Sequence, residues 1–455
     1  MRTIASDGNQ ISLFDGNKPL KITKPLRLIE LFAGIGAQAK ALENLGVTFE
    51  HYRICEFDKY AVTSYNAVHG TNFYTSDITK IHAEDLGIVE TDKYEYIMTY
   101  SFPCTDLSKA GKQQGMSRGS GTRSGLLWEV ERLLKETKQL PQILLMENVP
   151  DVLSEKNCED FYSWCDFLEK LGYTSKYAIL NSKDYGVPQN RERCFMLSWL
   201  GEDYYYDFPD KIPLSLRLKD VLEKKVDEKY YLSEKTIKYF IKHTRESIEK
   251  GNGFRFEPTD GNVIGKTITT RAGSRTDDNF IKCEHIAQLD GVVDEPVALD
   301  EQNGYLRKDG TVGTLTTDGS SPKHNNRVVE PNCCVRKLTP KDGICYPCMN
   351  KDGYKIAKDG DGVVTSRPHQ ARLTVICQKS FAIRAQNAGD SGVCLLENQN
   401  YRIRKLTPKE CWRLMGFDDE SFSRAEQVVS NSQLYKQAGN SIVVDVLMAI
   451  FKKLF

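Results

Sequence analysis

The chain has 455 residues, 40% of them hydrophobic, which exceeds what one core usually organises and predicts two lobes. Lysine plus arginine and aspartate plus glutamate each total 62, so any affinity for nucleic acid must come from a local basic face and not from bulk charge. The 13 cysteines are irregularly spaced and no apolar run has spanning length, so we expect a reduced, soluble, cytoplasmic protein without disulfides.

The first predicted unit is a strand, a tight turn and a helix. Leu26–Phe32 is an apolar strand, Gly34-Ile35-Gly36 is the turn, and Ala37–Leu45 is a helix that ends at Gly46. Such a unit opens a doubly wound α/β sheet, so we predict a Rossmann-like sheet with a smaller β-rich lobe. A Gly-x-Gly turn alone is a weak signal, and a plain tight turn is the alternative interpretation.

Two acidic residues follow this unit. Glu56 comes after a predicted strand through His51–Cys55, at about the spacing where a carboxylate takes a ribose hydroxyl. Asp77 follows the strand-like pair Phe73-Tyr74. This order of a strand, a glycine turn and two acidic residues predicts a pocket for an adenosine-bearing cofactor.

The candidate active site begins where an apolar run stops. Tyr94–Tyr100 is rich in β-formers, and Pro103 cannot continue a central ladder. Cys104 should therefore lie at a strand's carboxyl end, where open α/β sheets bind ligands, and it is the candidate nucleophile.

Residues 109–125 are polar and glycine-rich and follow Cys104 closely, so we predict a mobile lid, with an ordinary surface loop as the alternative. Its basic residues suit a phosphate backbone. They are Lys109, Lys112, Arg118 and Arg123. Leu126–Lys138 then has the periodicity of a helix.

A buried strand, Ile143–Met146, leads into Glu147. A carboxylate at the end of a core strand is costly unless partnered or functional, although a surface turn residue is the alternative. Arg191 and Arg193 precede another strand, Cys194–Leu200, and alternate so as to face one side. Paired arginines suit a phosphate or an extruded nucleotide, and a salt-bridged surface pair is equally compatible.

Six ordered motifs closely resemble those of the DNA (cytosine-5) methyltransferases of bacteria and phages. They cover residues 26 to about 200 and 401–455, and they are Phe32–Gly36, Phe102–Cys104, Leu145–Val149, Gln189–Arg193, Arg404–Phe417 and Gln437–Ile442. The sequence departs from the family at Ser101-Phe102, where glycine and proline are frequent, and at Thr105, where glutamine is usual.

The resemblance implies methyl transfer from S-adenosylmethionine to C5 of a flipped-out cytosine. It assigns addition to C6 to the Cys104 thiolate, contact with the N3 edge of the base to Glu147, and support of the nucleotide to Arg191 and Arg193. It also suggests a restriction-modification system. The cofactor residues implied by the motifs are Phe32, Gly34, Gly36, Glu56, Asp77, Ile78, Pro103, Leu126 and Asn440.

The helix predicted over Ser441–Leu454 should pack back on the first strands. Three rival functions compete with DNA methylation. A catalytically inactive DNA-binding module would lack the Cys104 and Glu147 pair, and both residues are present. An oxidoreductase with a nucleotide cofactor would explain Gly34–Gly36 but not Cys104, and an RNA cytosine-5 methyltransferase would not need so long a variable region.

Residues 201–400 lack strand-helix alternation and are rich in Asp-Gly turns, so they predict a β-rich target-recognition lobe. A Thr-rich unit recurs at 265–270, at 313–317 and, more faintly, at 362–366. By resemblance, Thr267 and Thr314 are candidates for DNA recognition together with Arg123, whereas recurrence by composition is the alternative. If the units are tandem, deleting residues 305–330 should remove one methylated motif.

Two further features of this region are open. Residues 335–341 nearly repeat 403–409, which suggests a relic or an insertion boundary. Four cysteines offer a weak candidate for a zinc site, because an adjacent pair suits tetrahedral geometry poorly, and free thiols are favoured. They are Cys333, Cys334, Cys345 and Cys348.

The predicted domains are a tail over 1–25, a catalytic domain over 26–200, a target-recognition domain over 201–400 and a returning segment over 401–455. The predicted partner is double-stranded DNA, with a monomeric protein and no membrane. In the tail, Gln10, Leu13 and Phe14 resemble a peptide that docks on the bacterial sliding clamp. Cover of an apolar patch on the protein's own surface is the favoured alternative.

Overall fold

The computed structural model describes the backbone and side chains of most of the chain. These residues are 18–104, 106–107, 115–251, 253–283 and 402–455, to which the backbone of residues 284 and 401 and of short strands between 297 and 395 is added. The chain divides into two compact units, one of residues 1–281 with 404–455 and one of residues 282–403. The predictions for Gln10, Leu13, Phe14, Thr314 and the four clustered cysteines fall outside the described side chains.

The bounds of the elements are as follows. The strands are β1 (Lys18–Pro19), β2 (Leu26–Leu31), β3 (Phe49–Cys55), β4 (Glu95–Tyr100), β5 (Ile143–Asn148), β6 (Tyr173–Asn181), β7 (Gln189–Asn190), β8 (Glu192–Leu200), β9 (Tyr204–Tyr205), β10 (Gly265–Lys266), β11 (Phe280–Glu284), β12 (Val297–Asp300), β13 (Tyr305–Arg307), β14 (Asn326–Val329), β15 (Arg336–Lys337), β16 (Ile344–Pro347), β17 (Tyr354–Ala357), β18 (Gly362–Thr365), β19 (Leu373–Ile376), β20 (Val393–Leu395) and β21 (Tyr401–Lys405). The helices are α1 (Ala37–Asn44), α2 (Lys59–His69), α3 (Ala83–Leu86), α4 (Leu127–Glu136), α5 (Cys158–Lys170), α6 (Glu234–Glu249), α7 (Pro408–Arg413), α8 (Asp419–Glu426), α9 (Asn431–Asn440) and α10 (Val444–Lys452).

A six-stranded sheet in the order β3-β2-β4-β5-β8-β6 organises the first unit. β3, β2, β4 and β5 pair in parallel, whereas β8 runs antiparallel to both β5 and β6. β4 and β5 are almost wholly buried, as expected of strands covered on both faces. The predicted Rossmann-like α/β sheet is therefore confirmed.

Helices α4 and α5 pack on this sheet through one buried cluster. Val130 and Leu133 of α4 and Trp164 of α5 join Met98 and Tyr100 of β4 there. The Trp164 indole donates a hydrogen bond to the Tyr100 hydroxyl at 3.0 Å, so the largest buried ring in the cluster is also satisfied. No helix in the described ranges is long and apolar enough to cross a membrane.

The fold begins before Leu26, so the predicted loose tail is wrong for residues 18–25. Lys18–Pro19 pairs in parallel with Tyr204–Tyr205, and the Ile22 amide donates to the Leu454 carbonyl at 2.8 Å. A pairing of two residues leaves no periodic signal in the sequence, which is why it escaped prediction. Phe73-Tyr74 likewise forms no strand, because these residues have no ladder partner.

The region predicted as β-rich contains a long helix. α6 has 16 residues, and its Phe240 packs against Phe256 and Phe280 with ring centroids 5.2 and 5.4 Å apart. The division between the compact units lies after Ile281 and not at residue 200, so α6 belongs with the sheet. Within the second unit, the strands pair antiparallel, as in hairpins.

The last helix, α10, is shorter than the predicted Ser441–Leu454. It packs against α1, the helix that follows β2. Asp445 lies in its first turn, and burial raises the pKa of this carboxyl to about 6.

We predict that Asp445→Asn raises the free energy of unfolding at pH 7.5 by roughly 1 to 3 kcal/mol. The folded state holds the proton up to a higher pH than the unfolded chain does, so the native protein loses stability as pH rises from about 4 to 6. The amide avoids that loss, and the two proteins should converge at about pH 3, below the pKa of the aspartate in the unfolded chain. Urea unfolding at both pH values measures this difference, and an equal gain at both would contradict the proposed cause.

Candidate active site

Cys104 lies four residues beyond the end of β4, at the carboxyl edge of the parallel strands. Two hydrogen bonds fix the preceding turn: the Asn148 side chain donates to the Phe102 carbonyl at 3.0 Å, and the Ser124 hydroxyl donates to the Pro103 carbonyl at 2.7 Å. The thiol is half-buried. The backbone therefore holds the sulfur at a defined place at this edge, as the sequence predicted.

Glu147 and Arg193 meet beside it. Glu147 is the penultimate residue of β5 and is only 8% exposed, while Arg193 lies near the start of β8, the neighbouring antiparallel strand. The Arg193 Nε lies 3.1 Å from the Glu147 Oε1. Because β5 ends where β8 begins, the sheet brings this carboxylate and this guanidinium together, and Glu147 is not the surface turn residue of the alternative interpretation.

The electrostatics of these groups are coupled. Burial raises the pKa of the Cys104 thiol, the positive charges of Arg193 and Arg191 oppose that rise, and the Glu147 carboxylate adds to it. Burial also raises the pKa of Glu147, against the two arginines. The ionisation of the thiol and that of the carboxyl are thus coupled to each other and to the charge of the two arginines.

Arg191 is buried and holds three segments together. Its guanidinium donates to the carbonyls of Ile268 at 3.0 Å, Gly439 at 3.1 Å and Ser441 at 2.8 Å. Its Nε has no hydrogen-bond partner among the described residues. Arg191 is therefore not part of a surface salt bridge. It is also not wholly free to contact a nucleotide, because most of its donors join the start of β8 to the Thr-rich unit at 265–270 and to the C-terminal segment.

The predicted glycine turn has a left-handed backbone. φ is +59° at Phe32, +57° at Gly34 and +79° at Gly36. A Cβ atom at Gly36 would lie 2.3 Å from the His69 Nε2, so only glycine fits there. The turn is therefore a tightly packed structure, with His69 against its back.

Glu56 lies against the same turn. Its two carboxylate oxygens accept hydrogen bonds from the amides of Gly34 at 2.9 Å and Asp58 at 2.8 Å, and burial raises its pKa. Each oxygen keeps a further lone pair that can accept from a hydroxyl. Farther along, Ile78 is buried, while the Asp77 carboxylate accepts from the Thr79 amide and hydroxyl.

The remaining predicted cofactor residues are Pro103 and Leu126, both half-buried, and Asn440, which is exposed at the end of α9. Gln437 on the same helix donates to the Tyr60 carbonyl of α2 at 3.0 Å. The C-terminal segment thus returns to the helix that follows Glu56.

Sequence reasoning missed two aromatic residues beside Glu56. Phe57 is 77% exposed and Tyr74 is 82% exposed, which is unusual for such large rings. The Ser76 amide donates to the Glu56 carbonyl at 2.9 Å, so the segment that carries Tyr74 passes close to Glu56. The sequence did offer one signal, namely an aromatic residue directly after the acidic one, because such a ring can stack on a purine.

Two predicted DNA contacts are engaged within the protein. The Thr267 hydroxyl donates to the Asn190 carbonyl at 2.6 Å, next to the short β7–β10 pairing. Arg118 pairs with Glu131 and stacks over Trp128, 3.8 Å from the ring centroid. Arg123 is exposed, and Lys109 and Lys112 fall outside the described residues.

The fold and this site define a Rossmann-like methyltransferase. The sequence model of the C-5 cytosine-specific DNA methylases matches residues 26–455. The orphan methyltransferase M.SPRI of Bacillus phage SPR is 31% identical over 94% of this chain and 97% of its own. M2.ScrFI of Lactococcus lactis subsp. cremoris, a type II methyltransferase, is 28% identical over 94% and 99%. The chain therefore belongs to the C-5 cytosine-specific DNA methylase family and is a DNA (cytosine-5-)-methyltransferase.

Solved structures agree on the fold. A Dnmt2 methyltransferase of S. pombe superposes with a TM-score of 0.55 at 17% identity, covering 95% of this chain and 98% of that one. The Entamoeba histolytica methyltransferase EhMeth gives 0.55 at 15% identity, covering 95% and 98%. At these identities the likeness concerns the fold alone.

Proposed function

We propose that this enzyme methylates C5 of cytosine in double-stranded DNA by way of a covalent bond between the Cys104 sulfur and C6 of the base. The observation that carries the proposal is the meeting of Cys104, Glu147 and Arg193 at one edge of the sheet, with the ionisation of the thiol coupled to the other two. C5 of cytosine is a poor nucleophile, and addition of a thiolate at C6 makes it electron-rich.

The residues have complementary tasks in this reaction. As the sulfur–C6 bond forms, the C5–C6 π pair becomes a C4–C5 double bond and the C4–N3 π pair moves onto N3, which takes the proton of a protonated Glu147. Arg193 fixes the Glu147 carboxyl through the 3.1 Å contact and supplies positive charge beside the thiolate. After C5 is methylated, the C5 proton passes to water, the sulfur–C6 bond breaks to release the thiolate, and N3 returns its proton to the Glu147 carboxylate.

The residues around the glycine turn fit S-adenosylmethionine, which supplies an electrophilic methyl group when bound. Glu56 is oriented by two backbone amides and keeps lone pairs for ribose hydroxyls. The exposed Phe57 ring, next in sequence, is free to stack on the adenine. Gly34, where a Cβ atom would point into open space, lets the backbone approach the cofactor closely, whereas Gly36 lets His69 pack against the back of the turn.

The substrate base lies inside a duplex, so we propose that it is flipped into the site, at a cost of a few kcal/mol of unstacking. Closure of residues 109–125 would offset that cost, and the exposed Arg123 can reach a phosphate. Residues 265–270 and the second unit are proposed to read the target. We retain the sliding clamp as a proposed partner of Gln10, Leu13 and Phe14, and a monomer as the working state.

Duplex DNA with 5-fluorocytosine in the target site tests the covalent step. Fluorine at C5 cannot leave as a proton, so the enzyme, supplied with S-adenosylmethionine, should form an adduct that survives denaturing electrophoresis. Cys104→Ser should form no stable adduct, while Cys158→Ser, at another half-buried thiol, should form it as the parent does. An adduct of undiminished yield with Cys104→Ser would refute the assignment.

A further inference from the structure

Behind the glycine turn lies a cluster of titratable side chains that the methylation chemistry does not use. Glu43 of α1, His51 of β3 and His69 of α2 each point one ligand atom at the same place, with all three atoms within 4.8 Å of one another. The His69 side chain is wholly buried, and those of His51 and Glu43 are 20% and 29% exposed.

Both ring nitrogens of His69 face acceptors. Its Nδ1 lies 2.6 Å from the Glu43 Oε1, and its Nε2 lies 3.1 Å from the Ile35 carbonyl. A carbonyl can only accept, so Nε2 carries a proton, and a neutral ring then has a lone pair at Nδ1. That lone pair would face the lone pairs of a carboxylate.

The same problem recurs at His51. The Tyr65 hydroxyl donates to Glu30, 2.5 Å away, and can accept from the His51 Nδ1 at 3.1 Å. The Nε2 of a His51 ring in that tautomer presents a lone pair to the Glu43 Oε1, 3.5 Å away. Both rings can therefore turn a lone pair toward Glu43, which is the arrangement that a cation site needs.

Two imidazolium rings would be poorly placed here. Their centroids are 5.3 Å apart, and the Lys40 ammonium is a third positive charge, 3.7 Å from the Glu43 Oε2. One divalent cation replaces two protons with no change in total charge. It also turns three facing lone pairs into ligands. The hydrogen bond on the far side of each ring already orients that ring for this role.

We propose that Glu43, His51 and His69 form a binding site for a divalent transition-metal ion, with zinc as the preferred class. Two imidazoles and one carboxylate are a ligand set that suits zinc, and the fourth position would go to water. Each ring is oriented by its other N–H, His69 by the Ile35 carbonyl and His51 by the Tyr65–Glu30 pair.

Zinc binding requires the side chains to shift, because the three ligand atoms lie within 4.8 Å of one another but not at the separations of a tetrahedral site. Ligand atoms of a tetrahedral zinc ion lie roughly 3.3 Å apart, close to the 3.5 Å between His51 and Glu43 and wider than the 2.6 Å between His69 and Glu43. A cavity of about 260 Å³ lined by Glu43, His69 and Lys40 gives an ion and a water ligand access to the cluster. In it, Lys40 pairs with Asp418 at 2.6 Å, which holds part of the ammonium charge away from Glu43.

The ion would act on the cofactor turn from behind. His69 touches the Ile35 carbonyl and occupies the space next to Gly36, so fixing the ring fixes the turn. The proposed role is structural, namely to join α1, β3 and α2 around the turn, and it does not depend on the chemistry at Cys104.

Cobalt(II) titration of chelator-treated full-length protein, with absorption spectroscopy, tests the site. The expected result is the visible bands of a tetrahedral ion saturating at one equivalent, with displacement by zinc. Zinc in excess should raise the melting temperature by about 4 °C or more.

Glu43→Gln and His51→Asn test the ligands at the more exposed positions, where folding is least at risk. Each should lose the cobalt bands and the stabilisation by zinc, while His82→Asn, at a histidine outside the cluster whose side chain is 72% exposed, should keep both. Absence of the bands in the parent protein would overturn the proposal in favour of a cluster held by hydrogen bonds alone. Binding that persists in both ligand variants would overturn it in favour of an ion elsewhere.

Discussion

Cys104→Ser should lower the rate of methyl transfer by more than about 10⁴-fold while DNA affinity stays within a few-fold of the parent. The hydroxyl is a far weaker nucleophile at neutral pH, and the oxygen sits farther from C6 because a C–O bond is shorter than a C–S bond. The backbone that positions the residue is fixed by Asn148 and Ser124, so the substitution should leave the turn intact. Transfer of labelled methyl groups and gel-shift titration measure the two quantities.

Cys158→Ser is the matched control, since it makes the same chemical change at another half-buried thiol. It should retain both activity and affinity. Activity of Cys104→Ser within about tenfold of the parent would contradict nucleophilic catalysis by this residue. Joint loss of DNA binding would instead indicate that the thiol supports the surface that meets the duplex.

The sequence predicted those parts of the molecule whose signal is local and periodic. Apolar runs such as 143–146 mark buried parallel strands, and chemistry at their carboxyl ends follows from the topology. For this reason Cys104 and Glu147 could be predicted to lie at the carboxyl ends of strands, whereas Arg193 was linked to them only by the family resemblance. Glu56 could be assigned to the glycine turn because its position depends on one short β-α-β connection.

Contacts between distant segments could not be predicted in this way. Arg191 reaches the carbonyls of Ile268 and Ser441, which no spacing rule links to it, so its role as a joint was invisible. β1 is only two residues long, and α6 lies in a stretch whose turn-rich neighbours suggested hairpins throughout. Arg118 appeared available for a phosphate, but it is held by Glu131 and Trp128.

The histidine cluster illustrates a different limit. His51 and His69 are 18 positions apart and follow no known ligand spacing, so the sequence alone offered no metal site there. Only the packing of β3 and α2 against α1 brings both rings to Glu43. The roles of the hydrogen bonds then follow from counting protons, which requires the partner of each ring nitrogen.

Glu147→Gln should reduce the rate constant of methyl transfer by about 10² to 10⁴-fold with a much smaller change in KM. The amide has nearly the same shape and its oxygen can still accept from Arg193, so the fold of the edge should persist. What it cannot do is give a proton to N3. The substitution therefore separates proton donation from hydrogen bonding, and single-turnover kinetics with prebound DNA measures the chemical step directly.

The pH dependence of the same variant tests the role of the proton. Burial raises the pKa of Glu147, so the protonated form extends toward neutral pH, and a step that needs this proton slows as pH rises through the raised pKa. Ionisation of Cys104 acts in the opposite direction, because its pKa is also raised and the thiolate increases with pH. The parent should thus show a bell-shaped profile, and Glu147→Gln should keep only the rising limb. Glu155→Gln changes an exposed carboxylate farther along the same segment of the chain and should keep the bell-shaped profile. A falling limb that survives in Glu147→Gln would assign the proton to another group.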